Sequence, residues 1–496
     1  MSAHASPHTD PATWLDELAQ RNPDRLLLRT ADGQRVSYGE MTRLVARVAA
    51  ALARRAVVPG DRVVAQVEKS PEAIALYLAC LRLGATFVPL NTAYTAVEIA
   101  YFLSDADPKI AVGVASGGVP LAELVRDESA PAHTPATAKQ SDLAALLYTS
   151  GTTGRSKGAM LTRANLATNA ITLARAWRFT ENDVLLHALP IFHVHGLFVA
   201  INTVLAAGSS MLFLSKFDAD EVVRLLPAAT VMMGVPTFYT RLLQLASFTR
   251  ERCATIRLFV SGSAPLLAET HREFSARTGH AILERYGMSE TLMNTSNPYD
   301  GERVPGSVGP PLPGVEIRIA DSESGHALPD AGQSGMIEVR GPNVCRGYWR
   351  MPEKTAAEFR PDGFFVTGDV GHFDRRGYLF LVGRAKDLII SGGFNVYPVE
   401  VETEIDALTG VAESAVIGVP HPDFGEGVTA VVVPRAGAAL DEGTLRAALE
   451  QRLAKYKLPK RIVFVSEMPR NAMGKVQKAQ LRERYRDLYN PARSNQ

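Results

Sequence analysis

Hydrophobic positions fall into two alternating rhythms over most of the chain. In residues 43–54 and Pro71–Leu83 they recur every three or four residues, which predicts helices with one buried face. Short runs rich in β-branched residues stand between such stretches, at 62–67, 86–90, 230–235 and 256–262, and these predict strands. Strands separated by helical connections predict parallel α/β sheets. After about Pro305 the period shortens to two, in 315–319, 335–340 and 377–382, divided by Gly, Pro and Asp turns. That pattern predicts antiparallel strands, arranged as a small barrel-like unit. From about Pro398 the helix–strand alternation returns on a smaller scale. It predicts a helix at 399–408, strands at 412–419 and 428–434, and a helix at 445–455. Residues 113–139, rich in Ala, Pro, Gly and Thr, read as a surface loop. The expected fold class is α/β. A large N-terminal domain, residues 1–385, carries parallel α/β sheets plus a β-barrel-like subdomain, and a small α+β C-terminal domain spans 386–496.

A chain of 496 residues is too long for one core, and at ~150 residues per domain it divides into two to four units. Its 46% hydrophobic and 21% charged residues are ordinary for a globular protein. With 53 basic and 52 acidic residues the net charge is +1, so no bulk basic excess predicts a grip on nucleic acid. Cys80, Cys253 and Cys345 lie far apart without metal-ligand spacing, so neither zinc nor a disulfide framework is expected. The longest apolar stretch, 191–213, is broken by His193, His195, Asn202 and Gly208-Ser209-Ser210, which argues against a membrane span. No secretory pattern opens the chain. The expectation is a cytoplasmic protein with small-molecule partners, no nucleic acid and no membrane; oligomeric state is not legible.

The strongest chemical signal is 148–158, Tyr-Thr-Ser-Gly-Thr-Thr-Gly-Arg-Ser-Lys-Gly, entered directly from the apolar run 143–147. Gly151 and Gly154 let the backbone bend around a polyanion. The hydroxyls of Thr149, Ser150, Thr152 and Thr153 offer hydrogen bonds to phosphate oxygens, and Lys157 adds a point charge. It is not a Walker A loop, because Lys157 is followed by Gly158 rather than Ser or Thr. A flexible Ser/Thr/Gly linker is the bland alternative.

This stretch resembles the signature of the acyl-adenylate-forming superfamily, which includes acyl-CoA synthetases, peptide-synthetase adenylation domains and beetle luciferases. Further motifs follow in the family's order: 285–291 (Arg-Tyr-Gly-Met-Ser-Glu-Thr), 367–369 (Thr-Gly-Asp), 383–393 and 469–475. The resemblance therefore covers nearly the whole chain. It implies ATP, Mg²⁺ and CoA as cofactor and co-substrates, and a mobile C-terminal domain. It makes Lys475 the catalytic lysine, supported by Lys157 and Glu290. Thr149 and Glu290 would hold the metal. Nucleotide contacts fall on Ser261, Gly262 and Ser263, on Tyr286, Gly287, Met288 and Ser289, and on Asp369 and Arg384. Lys386 falls at the hinge, and Ser391, Gly392 and Gly393 fall where pantetheine passes. A surface lysine, a turn-capping aspartate and a simple tight turn are the respective alternatives for Lys475, Asp369 and Gly392-Gly393.

The acid is read from polarity. Segment 293–303 is strongly polar, Arg241 follows the phrase 234–240, and His193 and His195 stand in 190–196. A buried arginine needs an anion, and its fork suits a second carboxylate. Arg241 and Arg303 are the expected carboxylate ligands, with His193 a wall of the pocket and His195 structural. Segments 192–196 and 294–303 are similar to those of malonyl-CoA synthetases, and that resemblance implies malonate, with methylmalonate also accepted. A ligase of the same mechanism for another short-chain or aromatic acid, or one loading a carrier-protein thiol, stays open. So do a silent nucleotide-binding scaffold and a luciferase-like oxygenase.

Overall fold

The computed structural model describes residues 10–114, 117–126, 138–149, 156–321, 324–329, 331–392, 394–471 and 474–490. Helix Pro71–Leu83 is apolar on nearly every side and lies at the centre of the main core. Ser70 caps its start, Pro71 occupies its first turn, and Gly84 ends it in the left-handed region at φ +76°. The helix expected over 43–54 begins earlier, at Tyr38, where Ser37 and Glu40 form a reciprocal cap.

Two largely parallel sheets flank this core. The larger runs Leu292–Ser296, Leu283–Met288, Leu258–Ser261, Val231–Gly234, Val184–His187, Ser210–Phe213, Leu26–Thr30, Arg35–Ser37. Only its outermost pairs are antiparallel. The other runs Ile110–Val112, Arg62–Ala65, Thr86–Pro89, Leu143–Thr149, Lys157–Thr162, with its last pair antiparallel. His187, Phe213, Gly234 and Ser261 end neighbouring parallel strands on one edge of the larger sheet, where open α/β sheets bind ligands.

The period-two region forms a five-stranded antiparallel sheet: Ser307–Gly309, Leu379–Arg384, Phe365–Phe373, Gly335–Arg340, Glu316–Ala320. Its two outer strands are not paired with each other among the described residues. Inside it the fully buried Glu338 is matched by Arg318 at 2.7 Å and Arg360 at 2.8 Å. Strand membership changes after Arg384. A 3-10 turn, Ala385–Asp387, leads into a separate sheet built from Ile389–Ser391, Phe394–Val396, Val411–His421, Gly425–Pro434 and Arg461–Phe464.

Two local expectations change. The helix expected over 445–455 is Glu442–Glu450, because Lys455–Lys457 forms its own 3-10 turn. The loop expected over 113–139 contains a short helix, Leu121–Arg126, which anchors itself by burying Leu124. No helix among the described residues is long and apolar enough to cross a membrane.

Asp10 joins the chain's start to the nucleotide hairpin. Its carboxylate caps helix Pro11–Arg21 through Ala12 N and Thr13 N and pairs with buried Arg163, the first residue of the helix after that hairpin. Asp10→Ala would leave Arg163 buried without its anion, and breaking such a pair costs about 3–5 kcal/mol. Urea denaturation of the variant should show that loss; a change below about 1 kcal/mol would mean solvent readily replaces Asp10.

Candidate active site

The glycine and hydroxyl segment is flanked by two paired strands. Strand Leu143–Thr149 runs antiparallel to Lys157–Thr162 with Thr149 opposite Lys157, so no helix N-terminus follows the turn as in a P-loop. Ser150, Gly151, Thr152, Thr153 and Gly154 lie outside the described residues. The two stems are tied into one polar network. The Thr149 hydroxyl lies 3.3 Å from Glu290 Oε1, and the Tyr348 hydroxyl lies 3.2 Å from the same oxygen and 2.5 Å from Glu358 Oε2. Lys157 pairs with Glu358 at 2.9 Å and lies over the Tyr348 ring. Lys157 thus shares the single Glu358 carboxylate with Lys354 in this arrangement, which leaves a net positive charge beside the stem.

Glu358 has two lysines, Lys157 and Lys354, and its carboxyl is held low; Glu290 has neither. Glu290 is only 6% exposed, and burial pushes its pKa up. Tyr348 has one proton for two carboxylates, so it cannot satisfy both. A buried carboxylate beside a hydroxyl, reached by the Arg384 charge but in no direct ion pair among the described residues, fits Mg²⁺, which takes few protein ligands and completes its shell with water and phosphate. No cluster of three or more acidic, His or Cys ligands exists among the described residues, which leaves phosphate oxygens to supply the remainder.

Asp369 and Arg384 face each other across neighbouring strands, 3.0 Å apart, and the Tyr286 hydroxyl donates to Asp369 at 2.6 Å. The Tyr286 ring is largely enclosed by Val308, Ile319 and Ile337, so little of it is open for stacking on a base. Gly287, Met288 and Ser289 follow it at the half-buried end of the strand.

Lys475 arrives from the small domain. Gly474 lies against Thr237, at the start of helix Pro236–Leu243. The Lys475 side chain reaches water, yet its ammonium sits in a crowded cleft among Arg384, Asp369, Lys386 and Asp387. Lost hydration and the neighbouring Arg384 lower its pKa to about 8. Lys386, in the 3-10 turn, is exposed beside the half-buried Asp387, which Arg482 binds at 2.7 Å.

The acid pocket differs from the expectation. Arg303 is occupied: its guanidinium donates to the carbonyls of Ala281, Pro298 and Tyr299. Arg241 stands exposed in the last turn of its helix. The polarity of 293–303 is largely internal too, with Asn297 donating to the carbonyls of Glu284 and Ser307 and Thr295 to that of Val308. In this arrangement Arg303 is therefore engaged by main-chain carbonyls rather than open to an anion, while Arg241 is open to solvent.

A third guanidinium in this region is Arg285, only 4% exposed, whose Nε and Nη2 have no hydrogen-bond partner among the described residues. Burial lowers its pKa to about 9. Gly262 makes room for it: a Cβ there would lie 2.3 Å from Arg285 Cζ. Ser263 follows in the left-handed region at φ +73°, a strained state for serine, and its hydroxyl meets His195 Nδ1 at 3.2 Å. His195 Nε2 and Ser261 Oγ are buried without partners. His195 is thus a pocket wall rather than a purely structural residue. His193, half-buried with its pKa lowered to about 4, precedes it against Phe192. His195 opens a π-helix, His195–Ile201, a rare form that clusters at functional sites.

Ser391 is buried, and Gly392, at φ +60°, donates to Phe424 O, while Gly393 lies outside the described residues. In this arrangement Lys475, and not the Gly392 hairpin, reaches the nucleotide residues.

Comparison with known proteins gives a consistent result. The AMP-binding enzyme family model matches residues 15–349, and the AMP-binding enzyme C-terminal domain matches 400–475. The crystal structure of ATP-bound MatB from Rhodopseudomonas palustris is 56% identical and superposes with TM-score 0.93, covering 97% of this chain and 100% of that one. Apo MatB from the same organism, at the same identity and coverage, gives 0.82. A feruloyl-CoA synthase of Amycolatopsis sp is 35% identical over 491 residues, covering 95% of this chain and 98% of its own. A malonate–CoA ligase of Arabidopsis thaliana is 32% identical over 534 residues, covering 94% and 87%.

Two outcomes follow from this geometry. A lysine with a lowered pKa is charged below about 8 and neutral above it, so kcat/KM for adenylate formation should fall as pH rises through about 8. ATP–pyrophosphate exchange against pH reads that limb, and its persistence in Lys475→Ala would assign it elsewhere. Gly262→Ala would push the Arg285 guanidinium aside, and displacement on the ångström scale costs about 10²-fold. Steady-state kinetics should place that loss on the acid rather than on ATP.

Proposed function

We propose that this chain, which belongs to the AMP-binding enzyme family and is an AMP-forming acid–CoA ligase, takes malonate as its acid. The products are malonyl-CoA, AMP and pyrophosphate, formed through malonyl-adenylate. The observation that carries this reading is Arg285, a buried guanidinium with two unmatched nitrogens in the acid pocket. A monoacid would leave that charge unpaired, which is costly in a dry site, whereas the second carboxylate of a small diacid supplies the anion its fork fits. Kinship alone does not choose the acid, because a feruloyl-CoA synthase and a malonate–CoA ligase are both relatives. Methylmalonate adds one methyl, worth only about 1–3 kcal/mol of discrimination, and fits the same scheme.

The residues divide the work by charge. Asp369, braced by Tyr286 and Arg384, accepts hydrogen bonds from the ribose hydroxyls. The hairpin turn from Thr149 through Gly154 donates to the phosphates, and the loop Ser261–Gly262–Ser263 borders base and acid together. Lys475 lies between the attacking carboxylate and the α-phosphate and offsets the charge that gathers as oxygen bonds to phosphorus and pyrophosphate departs. Glu290 and Thr149 would hold Mg²⁺, which would add charge neutralisation of the polyphosphate. CoA sulfur then attacks the acyl carbon and AMP leaves. For that step the small domain turns about Lys386, withdrawing Lys475 and bringing Ser391, Gly392 and Gly393 to the pantetheine arm. The 3-10 turn between two separate sheets supports this hinge.

The test is AMP and acyl-CoA formation with ATP, Mg²⁺, CoA and acetate, malonate, methylmalonate, succinate, butyrate or benzoate. Malonate should lead; a wide margin for acetate or benzoate would overturn the assignment. Arg285→Met should cut kcat/KM for malonate by at least about 10²-fold, the scale of losing a charge-assisted pair, and spare butyrate. Lys475→Ala should stop adenylation while leaving thiolysis of supplied malonyl-adenylate largely intact.

A further inference from the structure

Behind the acid pocket lies a buried cationic side chain with no role in the reaction above. Lys69 immediately precedes Ser70, the cap of helix Pro71–Leu83. Its amino group lies 2.8 Å from His187 Nδ1, donates to the His187 carbonyl at 2.9 Å, and sits 4.4 Å from the centre of the Phe213 ring. No carboxylate pairs with it among the described residues, and burial pushes its pKa well down. A lysine kept in so dry a place without an anion is expensive, which directs attention to what it holds.

It holds His187, and the sense of the hydrogen bonds is determined. His187 Nε2 lies 2.8 Å from the Gly196 carbonyl oxygen, which can only accept. The proton is therefore on Nε2 and the lone pair on Nδ1, where Lys69 donates. Gly196 is the second residue of the π-helix. It is wedged there, since a Cβ would fall 2.0 Å from the Pro190 carbonyl oxygen. Its neighbour His195 meets Ser263, next to the glycine over which Arg285 lies. A continuous path thus runs from Lys69 through His187 and Gly196 to the wall of the acid pocket. π-Helical geometry is uncommon and persists where its surroundings over-determine it.

We infer that Lys69 and His187 form a positioning pair for the acid: by holding the Gly196 carbonyl they set the π-helix register that presents His195 beside Arg285. The inference rests on Arg285 being the anchor of a diacid. Neither residue of the pair touches substrate, so their effect belongs on acid binding and acid selectivity rather than on ATP.

Lys69→Met keeps the length of the side chain and removes its donors. ATP–pyrophosphate exchange should show the malonate KM raised about tenfold or more, with the ATP KM and melting temperature unchanged and the malonate-to-butyrate preference narrowed. Lys69→Arg should recover most of the loss. His187→Gln, which keeps a donor for Gly196 and an acceptor for Lys69, should stay close to wild type, whereas His187→Leu should behave like Lys69→Met. If Lys69→Met does not fold, the two His187 variants carry the comparison. An unchanged malonate KM in the apolar variants, or equal rises for malonate and ATP, would overturn the positioning role. A wild-type enzyme that prefers butyrate would instead overturn the malonate reading, and the pair would then be judged on the butyrate KM.

Discussion

A charge removed from water must be matched, and the site of this protein consists of three charges that the chain itself leaves incompletely matched. Several other buried ions are paired: Glu338 with Arg318 and Arg360, Asp183 with Arg257, Asp10 with Arg163. Among the described residues Arg285 keeps two guanidinium nitrogens without acceptors, Glu290 forms no ion pair and feels only the more distant charge of Arg384, and the Lys475 ammonium is crowded by Arg384 and Lys386. Each shifted pKa has the same origin, desolvation that the surrounding protein does not repay. On the proposed reading the missing partners are those of adenylate formation: a carboxylate, a cation with its phosphates, and the phosphate under attack.

The fold brings the three together from independent elements. Arg285 and Glu290 lie in and just beyond strand Leu283–Met288 of the larger sheet, which places acid and metal groups within one short stretch of chain. The nucleotide hairpin belongs to the second sheet, and Thr149 joins it to Glu290. Asp369 and Arg384 come from the antiparallel sheet, and Lys475 from the small domain. Because Lys475 depends on how the two domains sit, the closer superposition on ATP-bound than on apo MatB agrees with its place beside Asp369.

The acid pocket shows how polar groups of similar appearance come to different uses. Arg303 donates to three carbonyls and steadies a loop, whereas Arg285 leaves Nε and Nη2 buried without acceptors among the described residues. The difference lies in what surrounds each guanidinium: main-chain oxygens in one case, and in the other Gly262, which admits it without supplying an acceptor in its plane. Tension in the backbone gathers at the same place, with Ser263 in the left-handed region and the π-helix at His195. Such local strain is maintained by the packed core behind it.

Local order was legible in the residues alone. Helix Pro71–Leu83 and strand Gly335–Arg340 appear where periodicity put them, because burial of one face writes its period into the chain. The ordered motifs around Thr149, Glu290, Asp369 and Lys475 likewise carried the family and its chemistry, since phosphate binding needs particular residue types in short contiguous runs. Which arginine faces the acid was not legible. Arg241, Arg285 and Arg303 are alike as letters, and Arg285 stood inside a motif already assigned to the nucleotide. Only tertiary packing separates them, by exposing the first, enclosing the second without a full set of acceptors, and supplying carbonyls to the third. The reason is that a side chain's periodicity is local, while the partners that satisfy or deny its charge come from segments distant in sequence.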